Sequence, residues 1–204
     1  MKNLKKLVIL AICGILIMGE SCETEAYNGY NAASYARKYA TNYNKNYDNY
    51  SSDCTNFVSQ CIEAGGKSHS VPASGVKKKK GGNITATGSH WYYRGNASTY
   101  AASTSWLRCS GSSNTFLSYW KNHSKYSTYN NLSAARKNCK VGDVIQICDK
   151  NYKIHHSVIC VTKTNNDIYC ASHTSDYMYK SLESITDSAN KKYGPIKYLI
   201  YHFA

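Results

Sequence analysis

The hydrophobic rhythm of the chain changes along its length: helical spacing in the front half, strand-like runs in the back half. Tyrosines stand at 30, 35, 39, 43 and 47, with Ala32, Ala33, Ala36 and Ala40 between them. Four-residue steps share a helix face, so the pattern predicts an amphipathic helix over residues 31–43 whose tyrosines bury their rings. A carbohydrate-stacking platform is the other reading of that face. Residues 44–52 are polar and loop-like. Phe57, Val58, Cys61, Ile62 and Ala64 then recur at helical spacing, with Asp53 as the expected N-cap and Gly65-Gly66 as the stop. Residues 67–90 are rich in Gly, Lys and Ser and show no period, which predicts a surface flap near the site. Residues 114–123 predict a second short helix carrying Phe116, Leu117 and Trp120, capped by Ser112, Ser113 or Asn114.

From Val141 the texture is that of strands. Residues 144–148, 156–161, 168–173 and 198–203 are β-rich runs, separated by the turns 142–143, 149–154 and 164–167. Residues 187–193 are expected as a loop or helical turn before Pro195. Short strands joined by short polar turns predict an antiparallel sheet, and helices followed by strands predict the α+β class in one domain.

The N-terminus adds a location. A basic start, MKNLKK, precedes an uncharged apolar run from Leu7 to Met18, the pattern of a secretory signal peptide over residues 1–26. The run is short for a membrane span. Cys22 raises lipidation as an alternative, although the residues before it are unlike a lipoprotein site. The formal net charge of +13 survives removal of the leader, because residues 1–26 hold three lysines and three glutamates. An exported basic protein meets anionic surfaces such as wall polymers, whereas nucleic acid is not an expected partner. Nine cysteines become seven after the leader is lost, an odd number that implies a free thiol. Their spacing shows no CxxC pair, so neither a metal site nor a cofactor is expected. Cys109 with Cys139 is a conceivable disulfide.

The chemistry centres on Cys54. In the first turn of its helix the dipole favours the thiolate, which is the nucleophile, although a buried structural cysteine fits the bare pattern too. A nucleophile needs a base. His156 opens one strand and His173 closes the next, so an antiparallel pairing brings both imidazoles to one sheet edge. There His156 would take the thiol proton and His173 would hold the far ring nitrogen. Strand alternation sets His155 on the opposite face from His156, and the pattern alone does not choose between them.

The segments DCTNFVSQCIEAGG, VGDVIQI, HHSVICV and YCASHT together resemble the "putative amidase domain" family of secreted bacterial proteins, within the papain-like cysteine peptidase and amidase superfamily. The resemblance covers nearly all of residues 27–204. It implies a nucleophile-bearing helix packed on an antiparallel sheet, Cys54 as nucleophile, His156 as base and a polar third residue, with His173 at the equivalent strand end. Tyr47 falls where the family carries an aromatic and is expected to support the oxyanion. Asp53 and Asn56 match the motif and are read as structural, a cap and buried hydrogen bonds. The lysine-rich flap and the cysteines at 148, 160 and 170 depart from the family pattern. The implied activity is cysteine-dependent hydrolysis of an amide bond, and export with a basic charge adds the expectation of a cell-envelope, peptidoglycan-type substrate for a secreted, monomeric enzyme. An acyl transferase using the same Cys–His pair, or a non-catalytic wall-binding module, are the alternatives.

Overall fold

The structure, a computed structural model, describes residues 26–111 and 113–203. The leader, the Cys22 question and the Ser112 cap lie outside those residues. The front half contains α1 (Gly29–Tyr39), α2 (Cys54–Ala64), β1 (Lys79–Lys80), β2 (Asn83–Thr85), β3 (Tyr93–Asn96), β4 (Thr99–Ser103), α3 (Thr104–Leu107) and α4 (Phe116–Trp120). The back half contains β5 (Lys125–Tyr129), α5 (Leu132–Asn138), β6 (Val144–Cys148), β7 (Ile154–Lys163), β8 (Ile168–Ser172), β9 (Tyr177–Ser181), α6 (Leu182–Tyr193) and β10 (Lys197–His202). The fold is α+β.

Six strands form an antiparallel sheet in the order β5-β10-β6-β7-β8-β9. The apolar runs of β6 and β7 are continuous because both faces of the sheet are covered. Val144, Cys148, Ile159 and Val161 face a core shared with α1 and α2. Ile145, Ile147, Val158 and Cys160 face a second core closed by α5 and α6. Residues 187–193, expected as a loop or turn, are the second half of α6. Its many polar residues hide a narrow buried stripe of Leu182, Ile185 and Thr186.

In α2 every residue from Cys54 to Ile62 is buried, so the helix has no solvated face. Its polar side chains are satisfied internally. Ser59 donates to the Trp106 carbonyl (2.9 Å) and accepts from the Trp91 indole (3.2 Å), and Gln60 accepts from the Tyr35 hydroxyl (2.9 Å). Helix α1 packs on both α2 and β7. Asn28 caps it through bonds from the amides of Tyr30 and Asn31, so it begins at Gly29 and ends at Tyr39, short of the expected Tyr43. Its buried face is alanine: Ala32, Ala33 and Ala36 are fully covered, whereas Tyr30 is 74% exposed. Close helix approach requires small side chains, and the tyrosines flank the seam instead of filling it. Helix α4 starts after Thr115, which forms a capping box with Ser118 in place of the expected cap. The glycine- and lysine-rich segment 67–90 is partly ordered. Ser70 bridges to Trp91, β1 pairs antiparallel with β4, and β2 pairs parallel with it.

The start of α1 docks on the turn before β6. Tyr27 donates its hydroxyl to the Gly142 carbonyl at 2.7 Å. Gly142 holds φ +89°, and a Cβ there would sit 2.2 Å from the Gly29 Cα. Gly142→Ala therefore strains the turn and pushes α1 away. It is expected to lower unfolding free energy by about 1–3 kcal/mol, read as a lower urea midpoint. An unchanged midpoint would show that this close approach is not a constraint.

Candidate active site

The first turn of α2 is fastened from three directions. The Asp53 amide donates to Thr174 Oγ1 at 2.7 Å. Asp53 Oδ1 accepts from the Tyr50 amide (3.0 Å) and from Asn56 Nδ2 (2.9 Å). Asp53 Oδ2 lies 2.5 Å from His173 Nδ1, with both side chains 1% exposed. The His173 ring is stacked between Tyr43 and Phe57, at centroid distances of 3.9 and 4.0 Å. Asn56 extends the network by donating to the Asp48 carbonyl and accepting from the Trp106 indole. Asn56 thus makes the buried bonds expected of it. Asp53 does not cap the helix: its carboxylate turns back to these partners and makes no bond to the first-turn amides.

His173 is not placed as the strand pattern predicts. Its Nε2 faces the Tyr39 carbonyl at 2.9 Å and its Nδ1 faces Asp53, so neither ring nitrogen is left for His156. Both histidines do lie at one end of the β7–β8 pair. Position along a strand does not fix which way a side chain points, and the buried Asp53 carboxylate captures His173. The following Thr174 and Ser175 have φ of 64° and 99°, strained for residues bearing a Cβ. The Thr174 bond to Asp53 lies in this turn.

Cys54, 5% exposed, and His156 open onto one cavity of about 320 Å³, together with Cys109, Arg108, Lys153, His155 and Thr174. Helix α2 docks on β7 beside the histidine, where Thr55 Oγ1 meets Ser157 Oγ at 3.1 Å. The Ser157 backbone N–H also reaches the Cys54 sulfur and favours its thiolate. Cys109, from the loop after α3, faces the same sulfur. The hydrogen bond between the two thiols, followed by burial, pushes Cys54 up. That bond holds Cys109 down at about 6. The pair therefore gives up its first proton more easily than an isolated thiol and its second far less easily. The sequence did not flag this second thiol, since nothing in the spacing brings residue 109 to residue 54. All seven cysteines among the described residues are unpaired, and Cys139 lies against Cys160, not Cys109.

The partner of His156 is Tyr177, whose hydroxyl lies 3.0 Å from Nε2. That hydroxyl is buried, which keeps it protonated. Ser172 is bonded elsewhere, to the carbonyls of Ser157 (2.8 Å) and His173 (3.0 Å). His156 Nδ1 has no hydrogen-bond partner among the described residues, and a neutral ring donating through Nε2 to Tyr177 would carry its lone pair there. Burial first, and the Lys180 ammonium second, depress His156 to about 4, so the imidazole is neutral at pH 7. Tyr177 escapes a sequence search because it opens a strand, β9, too short and polar to be seen as a run.

His155 also lines the cavity, but its Nε2 is held by Asp149 Oδ2 at 3.1 Å and its ring stacks on Tyr193 at 3.8 Å. A bulge between the pairs Ile147↔His156 and Cys148↔Ile154 breaks the simple alternation of β7 here. Tyr47 is elsewhere. It donates to Glu63, packs on Tyr93 and Trp106, and lines a different cavity with His69 and Lys78. An aromatic cluster claims its ring, so it offers nothing to an oxyanion at Cys54. The expected flap lines that second cavity as well, through Val71, Gly75, Val76 and Lys78. Among the described residues no cluster of three or more His, Cys, Asp or Glu is arranged to hold a metal ion.

Removing His173 leaves the Asp53 carboxylate buried without its partner. His173→Ala is expected to cost about 3–5 kcal/mol of stability, read by urea unfolding, with Asp53→Ala close behind. A loss below 1 kcal/mol would show that the pair does not anchor the helix.

The profile of the family described as "Putative amidase domain" matches residues 26–196, well over half of the chain. A segment of 42 residues is 57% identical to the uncharacterized protein YjcM of Bacillus subtilis (strain 168). That segment is 20% of this chain, and it spans only 10% of the Bacillus protein. No solved structure matches the chain. With its profile met from before α1 to the start of β10, the chain belongs to the putative amidase domain family, whose description is that of a hydrolase of amide bonds.

Proposed function

We propose that the protein is a papain-like cysteine amidohydrolase in which Cys54 is the nucleophile and His156 the base. The observation that carries this reading is the shared cavity of Cys54 and His156, where His156 is held through Nε2 by Tyr177 and its Nδ1 has no hydrogen-bond partner among the described residues. Family membership supports the amide bond as substrate. The leader-like N-terminus and the +13 charge support export and a cell-envelope substrate.

The resting pair is a neutral thiol and a neutral imidazole, because the hydrogen bond to Cys109 and then burial hold the proton on Cys54, and burial keeps it off His156. His156 Nδ1 takes the Cys54 proton as sulfur attacks the amide carbon. The S–C bond forms, and the carbonyl oxygen becomes an oxyanion beside the Cys54 backbone N–H at the helix tip. The imidazolium returns its proton to the nitrogen as the C–N bond breaks and the amine leaves. Water then attacks the thioester and gives a proton to His156. The acid departs as the C–S bond breaks and the thiol is restored. Tyr177 holds the ring in the required tautomer throughout.

Turnover of a chromogenic peptide amide tests these roles. Cys54→Ser and His156→Ala are expected to lose about 100-fold or more of kcat, while Cys109→Ala and His155→Ala keep most of it. Retained activity in Cys54→Ser with loss in Cys109→Ala would move the nucleophile to Cys109. Tyr177→Phe is expected to lower kcat about five- to a hundredfold, the rate equivalent of one buried hydrogen bond. A primary amine acceptor separates hydrolysis from acyl transfer, since only a transferase yields the new amide.

The pH dependence has a definite sign. His156 is depressed to about 4 in the folded state against an ordinary value of 6.5. Between those values the unfolded chain binds the proton and the folded chain does not. Its contribution to stability is therefore complete above about 6.5 and lost as pH falls towards 4. The neutral base likewise persists to about pH 4, so the acid limb of kcat/KM is expected there. Because Cys109 itself titrates at about 6, the decisive profile is that of Cys109→Ala, where a limb at 6 or above would contradict a buried neutral imidazole.

A further inference from the structure

We infer that the active-site groove selects an amide flanked by carboxylates, an acidic peptide segment, through cations placed on both sides of His156. The inference rests on the cysteine amidohydrolase reading and names its substrate class.

The Cys54 cavity continues into a second one of about 290 Å³, and the two share His155, His156 and Thr174. On the cysteine side the lining includes Arg108 and Lys153. On the far side it includes Lys180 and Lys192. No aspartate or glutamate lines either cavity, and none of these four cations is in an ion pair among the described residues. Two other cavities hold two cations each, Lys78 and Arg94 with Glu63 beside Tyr47 and Lys140 and Lys163 beside Gly29, and the one beside Pro195 has Asp187 and no cation, so the four cations around His156 are the largest such group among these cavities.

The neighbouring carboxylates are occupied. Asp149 is bonded to His155 and to the amides of Asn151 and Lys153, and Asp176 accepts from the Tyr43 hydroxyl. The groove therefore presents four cations outside any ion pair against one readily ionised side chain, the Cys109 thiol held down at about 6, with apolar walls from Leu107, Ile154, Ile185 and Ala189. Opposed cations at both ends hold an extended chain better than one cluster would, because each carboxylate fixes one side of the scissile bond.

Lys180 has a second effect. Its ammonium is close enough to His156 to oppose protonation of the ring. A substrate carboxylate on Lys180 cancels that charge and makes the base stronger in the complex than in the free enzyme. A neutral substrate has no such effect.

The test uses the full secreted chain and three peptide amides that differ only in the flanking residues, Glu, Gln or Lys. The expected order of kcat/KM is Glu above Gln above Lys, by about three- to tenfold per step, shrinking as salt is raised. Lys153→Glu and Lys180→Glu are expected to reverse the order, and Lys180→Glu, which removes the ammonium that opposes His156 protonation, is also expected to raise the acid limb of kcat/KM. For the Glu substrate the acid limb of kcat is expected above that of kcat/KM, and for the Gln substrate the two coincide. Equal rates on all three peptides, or an order untouched by either variant, overturns the inference while leaving the hydrolase reading intact. If no peptide is cleaved, that reading fails for this bond, and selectivity is still measurable without turnover. Alkylation of the Cys54–Cys109 pair by iodoacetate is then compared with iodoacetamide by peptide mapping of both sulfurs. The anionic reagent is expected to gain several-fold over the neutral one in the wild type and to lose that gain in both variants. A ratio independent of Lys153 and Lys180 overturns the proposal.

Discussion

The site is built around a carboxylate that has been taken out of water. Asp53 is 1% exposed, and no helix amide compensates its charge. His173, Asn56 and the Tyr50 amide do so instead. These partners come from the end of β8, from α2 itself and from the loop before it. A buried charge tolerates no loose partner, so the three segments have one mutual arrangement. Cys54 is the next residue in the chain, and its position is fixed as a consequence.

The same economy explains the histidines. Four lie near carboxylates in this molecule: His69 by Glu63, His155 by Asp149, His173 by Asp53 and His202 by Asp143. His156 is the exception at the cavity. It faces a tyrosine hydroxyl in place of a carboxylate, and a lysine that opposes its protonation. A histidine kept neutral and sharing a cavity with a buried thiol suits the proposed general-base role better than a resting ion pair would. The second thiol, Cys109, supplies a hydrogen-bond partner for charge arising on the sulfur pair.

Helix α2 and the central strands were legible because their apolar residues repeat without interruption. VIQIC and HHSVIC are buried on both faces, and a strand buried on both faces reads as a continuous run. The α+β class followed from the order of those segments. Helix α6 was lost because only three of its twelve residues are buried, and β3, β4 and β9 because four- and five-residue strands with polar positions carry too little period. In the site, Cys54 and His156 were legible as residue types at a helix mouth and a strand start. The exchange of His173 for Tyr177 beside the base was not, because rotamers depend on which buried charges must be paired. The contact of Cys109 with Cys54 depends on a loop path that no local pattern encodes.

The account's central claim is that an acyl group passes through the Cys54 sulfur. Acid quenching during turnover of an amide or ester substrate, followed by peptide mapping, reads this directly. A thioester on the peptide containing Cys54, accumulating in His156→Ala supplied with an activated ester, is the result predicted. An adduct confined to Cys109, or turnover with no adduct on either sulfur, would contradict it.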